Sequence, residues 1–385
     1  MWTWPPPRPA RPSRVAAPPP GSEFHRLART ARFRWWVPPL ALATAAALSQ
    51  LIQVPIGLFA GLMALASGGP LDSGVLFGSA VPDLAVRLAV VALLLPSVLV
   101  AARFVQWRRI GTLSSVEGRL RVRWLLVCTG VAAGCVALTM VVMFAIPGTG
   151  PREASESFVG AGEFALGMAV VLLLVPFQSA GEEYAFRGFL LQLVGGYGAR
   201  PGELAASGRA DGPLRRFLRG PAPAIVVSAV AFTLLHTYGG WATAEVLLFG
   251  LATGWLAWYT GGLEAGLALH VLHNIAGFGL SAYAGALDPQ GTGSGSWQSL
   301  AGTVLEVGLF VLLVVHLARR RGLRRVVPGG HAALPAAPAG GPGPHASAGR
   351  SRLPGGGDAS VAPSVDASAA TPVPDRRPRP RPRRS

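Results

Sequence analysis

The chain has 385 residues, 51% of them hydrophobic, with a formal net charge of +16 and a mean hydropathy of +0.43. That hydropathy excludes an ordinary soluble domain and points to a polytopic, all-α membrane protein. The sequence contains no lysine, so its positive charge is all arginine. These arginines flank apolar runs, which reads as topogenic charge and attraction to anionic lipid, with no nucleic-acid partner.

Residues 1–34 are rich in Pro, Ala and Arg, carry no apolar signal-peptide core, and read as a disordered tail. Trp35 and Trp36 then stand where an interfacial belt would lie. N-terminal transmembrane helices fill residues 35–150, over 37–66, 82–104 and 124–146. Cys128 and Cys135 fall within the third of these runs. They stand roughly 10 Å apart along a helix, too far to bridge. A long apolar stretch over 161–195, broken by Pro176 and Gly181, predicts a kinked or tilted helix.

A polar loop (196–220) leads to apolar runs at 221–238, 241–260 and 263–282. A last helix over 298–318 ends at the basic cluster Arg319 to Arg325, and residues 326–385 read as a second disordered tail rich in Pro, Gly and Arg. The sum is about eight transmembrane helices. The arginine-rich segments 1–34, 102–123, 196–220 and 319–325 all fall on one side of that arrangement, which places both termini in the cytoplasm.

The chemistry concentrates between residues 160 and 282. Glu182 and Glu183 close an apolar run, Arg187 follows one turn later, and the apolar pattern then continues through Phe189 to Val194. Carboxylates at membrane depth are costly unless they face a wet cavity or do chemistry. Glu183 and Arg187 have ion-pair spacing. Glu182 points elsewhere, since adjacent helical residues diverge by about 100°, and is free to activate water. His236 ends another apolar run. His270 and Asn274 share a helix face, with His273 close by. If Glu182, His236 and His270 converge, they form either a zinc site with an open position or a metal-free site. In the second case Glu182 and His236 activate water while His270 and Asn274 donate to an oxyanion. Depth counting sets His236 and His270 at opposite ends of their helices, so they meet only if the helices bend.

Glu182-Glu183 with Arg187, Phe232 with His236, and His270 with Asn274 occur in the order that resembles the CAAX prenyl protease 2 family. These are the type II CAAX endopeptidases, also called the CPBP or Abi family. Gly188 to Leu191 and Tyr259 to Glu264 are similar as well, and the resemblance covers about residues 160–282. It implies an intramembrane endopeptidase acting on a membrane-associated or lipid-anchored peptide or protein. In eukaryotic relatives the substrate is a prenylated protein C-terminus; here the composition of the chain suggests a bacterial plasma membrane and a different anchored or transmembrane peptide. The resemblance makes Glu182 the base, His236 and His270 catalytic or zinc-binding, and Asn274 an oxyanion donor, with Glu183 and Arg187 in support. The site is expected to be reached from the cytoplasmic side or from lipid. The rival readings are a non-proteolytic scaffold, bacteriocin-immunity or regulatory protein, and a proton-coupled transporter. The transporter predicts repeated halves that the sequence does not show.

Overall fold

Apolar runs of membrane-spanning length must satisfy their backbone internally, which leaves helices as the solution for isolated spans. The structure, a computed structural model, describes residues 15–66, 80–146, 158–206, 208, 210–287 and 293–329. Among these the regular structure is helical throughout. The helices are α1 (Val37–Ala66), α2 (Ala80–Ala92), α3 (Leu94–Phe104), α4 (Val122–Ala145), α5 (Ala161–Glu182), α6 (Leu191–Gly195), α7 (Pro201–Ala206), α8 (Pro213–Arg219), α9 (Pro221–Leu234), α10 (Gly240–Thr260), α11 (Glu264–Tyr283) and α12 (Trp297–Arg320). Between α5 and α6 the chain runs directly through a π-helical segment, Glu183–Leu190.

Several boundaries follow from single residues. Pro96 can neither donate to the carbonyl of Ala92 nor fit beside it, and the helix breaks between α2 and α3 one turn before it. Pro221 opens α9 at the first helical position, where a missing N–H costs nothing. Gly261 ends α10 in the left-handed region at φ 73°, with the backbone of Arg324 and Arg325 packed against it. Ser296 caps α12 in a reciprocal pair with Ser299.

Among the described residues, six spans are long and apolar enough to cross a membrane, or seven if α8 and α9, bent by 59°, count as one. About eight were expected. The difference lies in α9, which has only 14 residues, and in α10, which falls short in apolar character. The Gly, Thr and Trp content of α10 suits packing against protein: Thr253, Gly254, Leu256 and Ala257 are buried. The outer faces of the spans do carry exposed leucines, such as Leu51, Leu126, Leu173 and Leu312, each at least 65% exposed. An apolar exterior on this scale belongs in lipid, and the chain is an integral membrane protein. The loops expected at 67–81 and 147–160 lie mostly outside the described residues.

The arginine-rich segments meet at one end of the bundle. Arg26 donates to the carbonyls of Gly195, Tyr197 and Gly198, just where α6 leaves carbonyls without helical partners. Arg108 reaches Gln192 at 2.5 Å, and burial draws its guanidinium down to about 9. Arg121 pairs with Glu264 at 2.6 Å and also donates to the carbonyls of Thr260 and Arg324.

This network corrects the expectation of a disordered tail over residues 1–34. Residues 15–34 are folded: Phe24 and Leu27 are buried beside Leu191, Ile225 and Leu263, and the arginines cap the ends of neighbouring helices. Proline content hid these anchors. Residues 326–329 are likewise structured rather than the start of a tail, since Val327 exchanges backbone hydrogen bonds with Gly21 and Ser22 at 2.9 Å. Residues 1–14 and 330–385 lie outside the described residues. Both ends of the described chain therefore sit at the arginine end.

His25 offers a test of this packing. It is fully buried, and its Nε2–H donates to the carbonyl of Arg219 at 2.9 Å. Burial holds its ionisation below the ordinary histidine value of 6.5. The unfolded chain takes up the proton first as pH falls, so the stability is fully present above 6.5 and is lost progressively toward the depressed value. Thermal unfolding between about pH 7.5 and pH 5 should show a falling Tm. The fall should be shallower in His25→Gln, whose amide keeps a donor but does not titrate.

Candidate active site

The site is built where α5 passes into the π-helical segment. π-Helical turns are rare and cluster at functional sites, and this one begins at Glu183 and contains Arg187. Glu183 Oε1 lies 3.1 Å from Arg187 Nη1, and both residues are fully buried. The guanidinium of Arg187 also sits 4.0 Å from the centre of the Phe232 ring on α9. That contact gives a desolvated cation a favourable face when its own N–H groups find no well-aligned acceptor.

His270, on α11, stands between the two glutamates. Its Nδ1 is 3.0 Å from Glu183 Oε1 and its Nε2 is 3.2 Å from Glu182 Oε2. Phe232 and Phe249 flank the ring at 5.9 and 5.1 Å. One turn along α11, Asn274 Nδ2 donates to Gln178 Oε1 at 3.1 Å, and Gln178 lies one turn before Glu182 on α5. Glu182 with His270 and Gln178 with Asn274 thus form successive rungs between the two helices. With an imidazole carrying both ring protons, Glu182, Glu183, Arg187 and His270 sum to no net charge, which lowers the cost of burying them.

Glu182, His236, His270 and Asn274 all line one cavity of about 410 Å³, while Glu183 and Arg187 lie behind its wall. The helix-depth obstacle to bringing His236 near His270 disappears because α9 is short. His236 lies beyond its end, with Nδ1–H donating to the carbonyl of Phe232 at 2.7 Å. That bond leaves Nε2 as the nitrogen available to a substrate or water. From Glu182 and His270 the cavity extends to Tyr238, Gly293 and Gly295. These lie at the N-terminal ends of α10 and α12, and the arginine network lies at their C-terminal ends.

The donor set does not fit a zinc ion as it stands. Both nitrogens of His270 already face carboxylates. Among the described residues no group of three His, Cys, Asp or Glu is placed to share an ion. Sequence reasoning did not single out Gln178, which orients Asn274, although its position one turn before Glu182 in an apolar run was a signal. Tyr238 and Phe249 were also missed, because nothing in the sequence distinguishes an aromatic lining a cavity from one facing lipid.

The described residues thus form an all-helical membrane protein in which Glu182, His236, His270 and Asn274 share one cavity. Residues 163–276 match the family described as type II CAAX prenyl endopeptidase Rce1-like. That match spans the segment that carries Glu182, Glu183, Arg187, His236, His270 and Asn274, and it is what this part of the chain is similar to. The chain is also similar to the uncharacterized protein YyaK of Bacillus subtilis (strain 168), with 29% identity over 214 residues. That alignment covers 53% of this chain and 63% of YyaK, so the chain spans less than two thirds of that relative. No solved structure matches.

The buried pair makes a direct prediction. Arg187→Met should leave Glu183 charged without its cation and cost about 3–5 kcal/mol. The double variant Glu183→Gln with Arg187→Met should recover part of that loss. Thermal unfolding of the purified protein in detergent measures both beside Glu183→Gln alone, and a double loss equal to the sum of the two single losses would show that the pair is not coupled.

Proposed function

We propose that the chain is an active intramembrane endopeptidase that hydrolyses a peptide bond in a membrane-associated or lipid-anchored peptide or protein. The observation that carries this reading is Glu182 at the cavity edge, held against His270, which Glu183 and Arg187 hold in turn from behind. A water in the cavity gives a proton to Glu182 as its oxygen attacks the scissile carbonyl. Asn274 Nδ2 is the donor available to the oxyanion, and His236 Nε2 faces the same cavity and can accept from the attacking water. The tetrahedral intermediate collapses as the C–N bond breaks, and the proton held by Glu182 passes to the leaving amine. Peptide and water become a carboxylic acid and an amine, and no electrons change hands. This reading needs no metal, and it is supported by the engagement of both His270 nitrogens.

We assign the arginine end to the cytoplasm of a bacterial plasma membrane, with both termini there. The support is the segregation of arginine to one end of the bundle. The cavity then reaches toward the extracytoplasmic side, so the substrate enters from that side or laterally from lipid, rather than from the cytoplasm.

Peptide-terminus profiling of cells carrying wild type or Glu182→Gln at matched expression tests the activity. New termini present with wild type should fall by about 10³-fold in the variant, the scale of a lost general base. Asn274→Ala in purified enzyme should lower kcat by about 10²-fold or more. Activity should survive removal of metals by a chelator, and restoration by added zinc after chelation would replace the metal-free mechanism. Unchanged termini with an intact cellular phenotype in Glu182→Gln would favour a scaffold or immunity role.

A further inference from the structure

A second cavity, of about 420 Å³, shares a wall with the first: Gly295, Glu245, His273, Ser299 and Thr303 line both. It lies where α4, α11 and α12 meet. Met140, Met143 and Leu280 give it apolar sides. An added Cβ on Gly277 would meet only open space, and one on Gly302 would approach Met143 Sδ at 3.1 Å, so small residues keep the volume open.

Two carboxylates outside the catalytic group face this space. Glu245 Oε1 accepts from Ser299 Oγ at 2.5 Å, and Glu306 Oε1 lies 2.8 Å from His273 Nδ1. Each of those contacts uses one carboxylate oxygen. Among the described residues no arginine lines either cavity, although the chain carries 34 arginines and a net charge of +16. Acidic groups are expensive at this depth and are rarely found there without a role.

An independent observation concerns Thr139 on α4. Thr129, Thr233, Thr253 and Thr260 each donate to the carbonyl four residues back in their helices. Thr139 is 4% exposed, its hydroxyl has no hydrogen-bond partner among the described residues, and it lines the second cavity. A buried hydroxyl left without a partner costs about 1–3 kcal/mol, and a ligand in the cavity would satisfy it.

Apolar sides, two carboxylates that face no arginine among the described residues and a waiting hydroxyl describe the complement of a long side chain with an apolar stem and a cationic head. We propose that the second cavity is a subsite for an arginine or lysine side chain of the substrate whose scissile bond lies in the first cavity. The stem runs along Met140, Met143 and Leu280, and the head donates to Glu245, Glu306 and Thr139. The proposal rests on the peptidase reading for its substrate, but the pocket can be tested without turnover.

The test uses Glu182→Gln protein in nanodiscs, so that bound peptides stay intact. Membrane-anchored fluorescent peptides carry a single arginine, or its neutral isostere citrulline, at successive positions in an otherwise uncharged sequence. At one position arginine should bind about tenfold more tightly than citrulline, as one charge-assisted hydrogen bond would give. Adding Glu306→Gln or Glu245→Gln should remove that preference. Adding Gly277→Leu, which fills the cavity and leaves the carboxylates in place, should weaken the arginine peptide as well. If one glutamine variant fails to fold, the other decides. Equal binding of arginine and citrulline at every position, or a preference that persists in the glutamine variants, overturns the subsite. Failure of wild type to cleave any of these peptides counts against the peptidase reading alone and leaves the binding result standing.

Discussion

The fully buried ion pair between Glu183 and Arg187 is the constraint around which the other site groups are arranged. Two charges inside an apolar bundle are tolerable only when they compensate each other and find further partners. Glu183 finds His270, and Arg187 finds the face of Phe232. Each partner comes from a different helix, so neutralising one pair fixes α9 and α11 relative to α5. The close approach of α11 also depends on Gly266, because a Cβ there would lie 2.7 Å from Glu183 Oε2. Once His270 is anchored by its Nδ1, its Nε2 must face Glu182, and the group at the cavity edge is oriented by the group behind it.

A second use of charge organises the opposite part of the molecule. The arginines of the connecting segments take up carbonyls at helix ends, as Arg26 does for Gly195 and Tyr197 and Arg121 does for Thr260. Arginine suits this role because its planar fork donates to several acceptors and stays charged. Arg121 is tied to Glu264, which opens α11, the helix that carries His270 and Asn274. The network that closes one end of the bundle therefore also sets where the histidine helix begins.

Much of this was legible in the sequence, for definite reasons. Glu182, Glu183 and Arg187 stood out because charge in an apolar run has few explanations, and the i,i+4 spacing of Glu183 and Arg187 translates directly into a contact. His270 and Asn274 shared a face for the same reason. Other features depended on the third dimension. The rungs joining Gln178 to Asn274 and Glu182 to His270 require knowing which helices are neighbours. Adjacent helical residues diverge by about 100°, so the two glutamates were expected to point apart and to take different roles. Glu182 and Glu183 do differ in exposure to the cavity, yet both reach His270, because the helix changes from α to π between them. The folded N-terminal segment was missed because proline and arginine content masked Phe24 and Leu27, two anchors too few to register as a periodic pattern.

The two electrostatic systems also explain how a strongly basic chain can keep an acidic interior. Arginines at the closed end have their guanidiniums committed to carbonyls and to Glu264. Arg187 is committed to Glu183 behind the cavity wall. The field inside the cavities is then set by the carboxylates that line them, Glu182, Glu245 and Glu306, with histidines, amides and hydroxyls as the other polar groups nearby. In a low-dielectric surrounding such a field is screened far less than it would be at a surface. A cavity of that sign opposes entry of anions and favours a chain segment bearing positive charge. The same carboxylates that make the bundle costly to fold thereby define what can approach Glu182.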